Sequence, residues 1–112
     1  MNIQRGDIWL IKLDPIIGSE QGGTRPVVIL SVNIFNSSKA KKIIIVPLST
    51  KSKGVPLDVL IQPPDGGLLR NSYVKCEDVR SISVNRFVEK WGELSLLKIK
   101  EIEEKLQFLL GL

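Results

Sequence analysis

Apolar residues in this chain fall into short runs separated by polar, Gly- and Pro-containing stretches. Residues 8–13 (Ile-Trp-Leu-Ile-Lys-Leu) are apolar and β-prone, preceded by Arg5-Gly6-Asp7 and closed by Asp14-Pro15, which predicts a first strand. The Val-Val-Ile-Leu run within residues 26–31 and the aliphatic run of residues 43–48 are continuous rather than alternating. Such runs are expected of strands covered on both faces. Pro26 cannot donate to a ladder, so it belongs at the first residue of its strand or on an edge.

The second half of the chain is less regular. Residues 33–42 read as a polar, basic loop, and residues 51–54 as a flexible basic connection. Residues 56–61 alternate enough for a partly exposed strand, and Pro63-Pro64-Asp65-Gly66-Gly67 marks a sharp turn. Across residues 73–79, alternation puts Val74 and Cys76 on one face and Lys75 and Glu77 on the other. Cys76 is therefore expected in the core, packed as a small hydrophobe. Residues 80–83 continue outward, and residues 87–94 read as a short strand or irregular chain.

One helix is expected, at the C-terminus. Ser95 is its N-cap, and Leu96, Ile99, Ile102, Leu106 and Leu109 recur at three- and four-residue spacing as one apolar face. Glu101 and Lys105 are placed as an i,i+4 pair, and Gly111 stops the helix. Strands followed by a helix give an α+β class, a small antiparallel curled sheet with the helix at its side.

Composition narrows the chemistry. At 112 residues the chain is expected to form one domain, residues 1–112, and its 43% hydrophobic content is that of a globular protein. No apolar run reaches the ~20 residues of a membrane span, and the first residues lack the apolar core of a secretory signal. A single cysteine forms no internal disulfide and fits a reducing cytoplasm. Sixteen basic against 12 acidic residues leave +4, compatible with nucleic acid or an acidic protein partner. The chain has no histidine. That excludes a Ser-His-Asp triad, a His-based metal site and a ribonuclease built on a histidine acid/base pair.

The residues that remain converge on one arrangement. The Gly-rich stretch Gly18-Ser19-Glu20-Gln21-Gly22-Gly23-Thr24 leads into Arg25-Pro26, at the start of an apolar strand. Arginine at such a junction suits phosphate, because its planar fork of donors matches phosphate oxygens. Ser49-Thr50 ends the next apolar strand. If the two strands pair antiparallel, the start of one and the end of the other share an edge, and Arg25 meets Ser49 or Thr50. A cation and a hydroxyl around one point form an anion site.

Arg5-Gly6-Asp7-Ile8-Trp9, the string from Gly18 to Val28, Val46-Pro47-Leu48-Ser49-Thr50 and Arg80-Ser81-Ile82 resemble the MazF/PemK toxins, ribonuclease partners of bacterial toxin–antitoxin pairs. The resemblance implies an SH3-like antiparallel β-barrel with a C-terminal α-helix (the CcdB/PemK-like fold), acting as a homodimer. It implies sequence-specific cleavage of single-stranded mRNA without metal or other cofactor, by attack of the ribose 2'-hydroxyl, leaving 2',3'-cyclic phosphate and 5'-hydroxyl ends.

On this likeness the catalytic residues are Arg25, Ser49 and Thr50. RNA contacts fall to Ser19, Glu20, Gln21, Asn33, Lys51, Lys53, Asp78 and Arg80, with Lys39 and Lys41 as further basic residues. Glu20 is the candidate base. An acidic antitoxin segment is the expected protein partner. The sequence departs from the family at Ser49, where threonine is commoner, at Val32, where asparagine is frequent, and at Asp78, where many relatives carry glutamine. A gyrase-inhibiting toxin on the same fold has no need of the Arg25 and Ser49-Thr50 pair. A plain nucleic-acid-binding module would leave RNA intact.

Overall fold

The computed structural model describes residues 1–12, 23–52 and 54–112. Seven antiparallel strands form one sheet, with a long helix at the C-terminus. The strands are β1 (Asp7–Lys12), β2 (Thr24–Ile29), β3 (Lys42–Ser49), β4 (Asp58–Ile61), β5 (Ser72–Lys75), β6 (Arg80–Ser83) and β7 (Phe87–Glu93). Their order is β4-β5-β3-β2-β1-β7. β6 joins the free side of β3 through Ile43↔Ile82 and Ile45↔Arg80, while the end of β3 pairs with β5 through Leu48↔Val74 and Ser49↔Tyr73.

A strand that serves two partners along one edge forces the sheet to fold over itself. The β1–β7 pairing adds register shifts at Ile8/Trp9 and Leu10/Ile11. Each shift increases local twist and bends the strand. The result is the curled, barrel-like sheet expected, with β4 and β7 as its recorded ends.

Curling buries both faces of the central strands, which is why β2 and β3 read as continuous apolar runs. Ile8, Val28, Val46 and Leu48 pack with Val74, Cys76, Ile99 and Ile102. On the other face, Trp9, Ile11, Val27, Ile29, Ile43 and Ile45 pack with Ile82 and Phe87. The rings of Trp9 and Phe87 meet edge-on at 5.7 Å.

The helix α2 (Leu96–Leu110) starts where expected: Ser95 Oγ accepts from Lys98 N–H. Asp65, in the 63–67 turn, fixes that start by accepting from Ser95 N–H (2.8 Å) and Ser95 Oγ–H (2.7 Å). Gly111, at φ 71°, ends the helix, and Leu112 N–H donates to Gln107 O. At Gly92 a Cβ would lie 2.7 Å from the backbone of Gly66, so turn and β7 meet backbone to backbone.

Several expectations need correction. A helical turn, α1 (Asn33–Asn36), interrupts the 33–42 loop, held by backbone bonds to Val32 O. β4 begins at Asp58, two residues later than expected. β5 stops at Lys75, and Cys76–Asp78 forms a 3-10 turn, so alternation fails there. Lys75 is buried rather than on an outer face, because Asp58 neutralises it across the β4–β5 ladder. Of the α2 stripe, Ile99 and Ile102 are buried and Leu106 half-buried, but Leu96 and Leu109 are 84% and 38% exposed. Glu101 pairs with Lys98 at 3.4 Å, one turn back, in the place of the expected Lys105 pair. Residues 87–94 resolve in favour of a strand, β7.

Candidate active site

Arg25 is the second residue of β2 and Ser49 the last of β3. The recorded β2–β3 register runs Ile29↔Ile45, Val28↔Val46, Val27↔Pro47. Pro26 has no N–H for a further rung. Continuing the same register by two residues sets Arg25 across from Ser49, and facing residues in an antiparallel pair lie roughly 4.5–5.5 Å apart at Cα. Alternation puts both side chains on the face of Val27 and Pro47, at the point where burial gives way: Val27 and Pro47 are buried, Arg25 and Ser49 half-buried.

The row extends to both sides. Ile11 pairs with Arg25, Tyr73 with Ser49, and Leu60 with Tyr73. Arg25, Ser49, Tyr73 and Leu60 thus form a half-buried band across four strands.

The loop after β3 orients the hydroxyls. Ser49 Oγ accepts from Lys51 N–H at 3.1 Å, which commits a lone pair to the turn and leaves the hydroxyl proton to be donated. Thr50 and Lys51 are exposed beside it. Ser52 Oγ accepts from Gly54 N–H (3.1 Å) and donates to Asp58 Oδ2 (3.1 Å). Asp58 Oδ2 also takes a 2.7 Å hydrogen bond from Lys75 Nζ, and the two side chains are only 5% and 7% exposed.

The other expected contacts do not gather here. Arg80 is opposite Ile45, four residues back along β3 and so roughly 13 Å from Ser49. Asp78 is exposed in the 3-10 turn before β6. Asn33 opens α1, beyond the far end of β2, where its Oδ1 accepts from Arg5 N–H at 2.7 Å. The Arg5 guanidinium in turn bonds Leu30 O and Glu103. Lys39 and Lys41 are exposed near that end. Ser19, Glu20, Gln21 and Lys53 lie outside the described residues.

Sequence reasoning missed Tyr73, Lys75 and Asp58. The signal for Tyr73 was present, since it is the only tyrosine in the chain. Lys75 and Asp58 gave no such signal, because a strand lysine reads as a surface residue until its partner strand is known. Among the described residues, no cluster of three or more His, Cys, Asp or Glu side chains is arranged to hold a metal. Cys76 is buried, and burial, with Glu77 and Asp58 adding to it, pushes its thiol up to about 11. It is a packing group and not a nucleophile.

Comparison with known proteins bears on the family and the fold. Residues 4–110 match the family described as PemK-like, MazF-like toxin of type II toxin–antitoxin system. A protein named endoribonuclease MazF from Staphylococcus saprophyticus is 35% identical over 111 residues, covering 98% of this chain and 92% of the relative. The crystal structure of a MazE–MazF complex (Form-II) from Deinococcus radiodurans superposes with a TM-score of 0.85 at 26% identity, over 100% of this chain and 98% of that one. An endoribonuclease in complex with its cognate antitoxin from a mycobacterial species gives 0.79 at 25% identity, over 100% and 97%.

Proposed function

The chain belongs to the PemK-like, MazF-like toxins of type II toxin–antitoxin systems and is an endoribonuclease of that family, and from this premise we propose that it cuts single-stranded mRNA without a metal, at a phosphate held between Arg25 and Ser49. The 2'-oxygen of the ribose attacks the adjacent phosphorus, and the bond from phosphorus to the 5'-oxygen breaks. The 2'-proton leaves to a base, for which Glu20 is the candidate, and the 5'-oxygen gains a proton. A 2',3'-cyclic phosphate and a 5'-hydroxyl result.

The juxtaposition of Arg25 and Ser49 across β2 and β3 supports this reading. Arginine stays protonated at neutral pH, so Arg25 acts as clamp and charge stabiliser and not as a base. Donors already aimed at the phosphate oxygens stabilise the charge that builds there without reorganisation. Ser49 adds a hydroxyl donor and is the functional hydroxyl, with Thr50 beside it, because the Lys51 N–H already orients its oxygen. Lys51 and Lys53 contact phosphates beside the cut while Ser19 and Gln21 read base edges there, and Arg80, Asp78 and Asn33 meet nucleotides farther along the strand.

An acidic antitoxin segment occupies the same basic surface, and the protein works in the cytoplasm as a homodimer. The dimer forms through the end of α2, where Phe108, Leu110 and Leu112 stand 81%, 55% and 87% exposed beside a groove of about 390 Å³. Arg5, Leu30, Ile44, Val79 and Leu106 help to line that groove. Monomers rarely expose an apolar patch of this kind.

The test is cleavage of a defined single-stranded RNA in EDTA, followed by mapping of the ends. Cyclic phosphate and 5'-hydroxyl ends are expected. Intact RNA, or cutting only after a divalent ion is added, would contradict the proposal.

A further inference from the structure

The half-buried row holds one aromatic side chain that the proposed chemistry does not use, Tyr73. It faces Ser49 across the β3–β5 ladder. Directly paired residues have Cβ atoms roughly 4.5–5.5 Å apart, so the ring stands within one nucleotide of the hydroxyl. Lys75 Nζ lies 5.9 Å from the ring centroid, over its face. That ammonium is itself held at 2.7 Å by Asp58, with both side chains nearly inaccessible.

We propose that Tyr73 is a stacking platform for a nucleobase of the RNA, next to the phosphate held by Arg25 and Ser49. The inference rests on the endoribonuclease reading and adds a base subsite to it. Single-stranded RNA is gripped through bases splayed onto aromatic rings, and every base offers a face to stack. A ring pinned from beneath by a fixed cation loses little freedom when a base lands on it.

Two observations separate this role from plain packing. On the face that Tyr73 occupies, its paired neighbour Leu60 is aliphatic, while Val59 and Val74 turn to the core on the other face, so covering this part of the sheet requires no aromatic ring. Trp9 and Phe87, by contrast, are buried in the core, and Phe35, Trp91 and Phe108 lie on α1, β7 and α2, away from the row. Moreover, Asp58 Oδ1 is buried with no hydrogen-bond partner among the described residues. A buried ion pair with an unsatisfied oxygen is a poor stabiliser. It does, however, hold the ring in one place.

The experiment uses a short single-stranded RNA spanning a mapped cut site, with a 2'-deoxy sugar at the scissile nucleotide so that it binds without being cut. Dissociation constants are measured for the full-length protein, Tyr73→Phe and Tyr73→Leu. Oligomers carrying a single abasic position at each nucleotide in turn are measured alongside. Tyr73→Phe should bind within twofold of the parent, and Tyr73→Leu about tenfold more weakly. One abasic position beside the cut should weaken the parent by the same factor and leave Tyr73→Leu unaffected.

A second measurement needs no variant: 5-iodouridine at that nucleotide should photocross-link to Tyr73 of the unaltered protein. Unchanged binding by Tyr73→Leu, an abasic loss that persists in it, or a cross-link to another residue would overturn the platform while leaving the nuclease intact. If the unaltered protein neither binds nor cuts RNA, the endoribonuclease reading itself falls and the platform with it.

Discussion

In the proposed mechanism Arg25 and Ser49 divide the work of holding a phosphate: one brings permanent charge and a fork of donors, the other a single hydroxyl. Cys76, in the 3-10 turn after β5, shows the opposite case of a reactive group silenced by its surroundings. Its thiol is pushed up to about 11 by burial first and then by the carboxylates of Glu77 and Asp58, from an ordinary value of 9.0. Because the unfolded thiol ionises at lower pH, the neutral thiol stabilises the fold fully below pH 9. That contribution is lost as pH rises towards 11. Urea titrations at pH 7.5, 9, 10 and 11 should therefore show the parent losing stability faster than Cys76→Ala over the upper interval. Parallel profiles would contradict the assignment.

At this scale the sequence displayed Arg25 and Ser49 plainly, as ends of apolar runs. It concealed Lys75 because alternation assigns faces within a strand and says nothing of a partner such as Asp58, 17 residues away.

Elements were legible where their pattern was long and local. The continuous runs of β2 and β3 declared strands buried on both faces, and Ser95 and Gly111 bounded α2. The short pieces were not legible. α1 and the 3-10 turn at Cys76–Asp78 are backbone turns fixed by their surroundings, with no periodicity to reveal them.

The three- and four-residue spacing of α2 put Ile99 and Ile102 in the core as expected, yet Leu96 at one end and Leu109 towards the other are 84% and 38% exposed. The uncovered C-terminal turn carries the dimer proposal. Leu110→Glu places a charge in that surface and should convert a dimer to a monomer in sedimentation velocity at micromolar concentration, with the melting curve still cooperative. A parent protein that sediments as a monomer, or a variant that remains dimeric, would refute this interface.

For the whole molecule, the main point is how a curled sheet builds a rim. Covering most of β2 and β3 on both faces leaves a half-buried edge where β2 starts and β3 ends, and there Arg25, Ser49 and Tyr73 line up across neighbouring strands. The antiparallel pairing of two apolar runs could be inferred from sequence. The division of β3 between β5 and β6 could not, because it depends on tertiary closure and not on local pattern. For the same reason Arg80 and Asn33, adjacent to the site by motif, stand at the other end of the strands.

The most direct test is a double-mutant cycle on single-turnover RNA cleavage in EDTA, comparing the parent with Arg25→Ala, Ser49→Ala and the double variant. Removal of an aimed donor typically costs about 10²–10³-fold, and groups serving one phosphate are strongly non-additive. Arg25→Ala should thus cut at least about a hundredfold more slowly, and the double variant little more slowly than Arg25→Ala alone. Cleavage by Arg25→Ala at the parent rate, or a double variant whose loss is the product of the two single losses, would mean that the two side chains do not act on one phosphate.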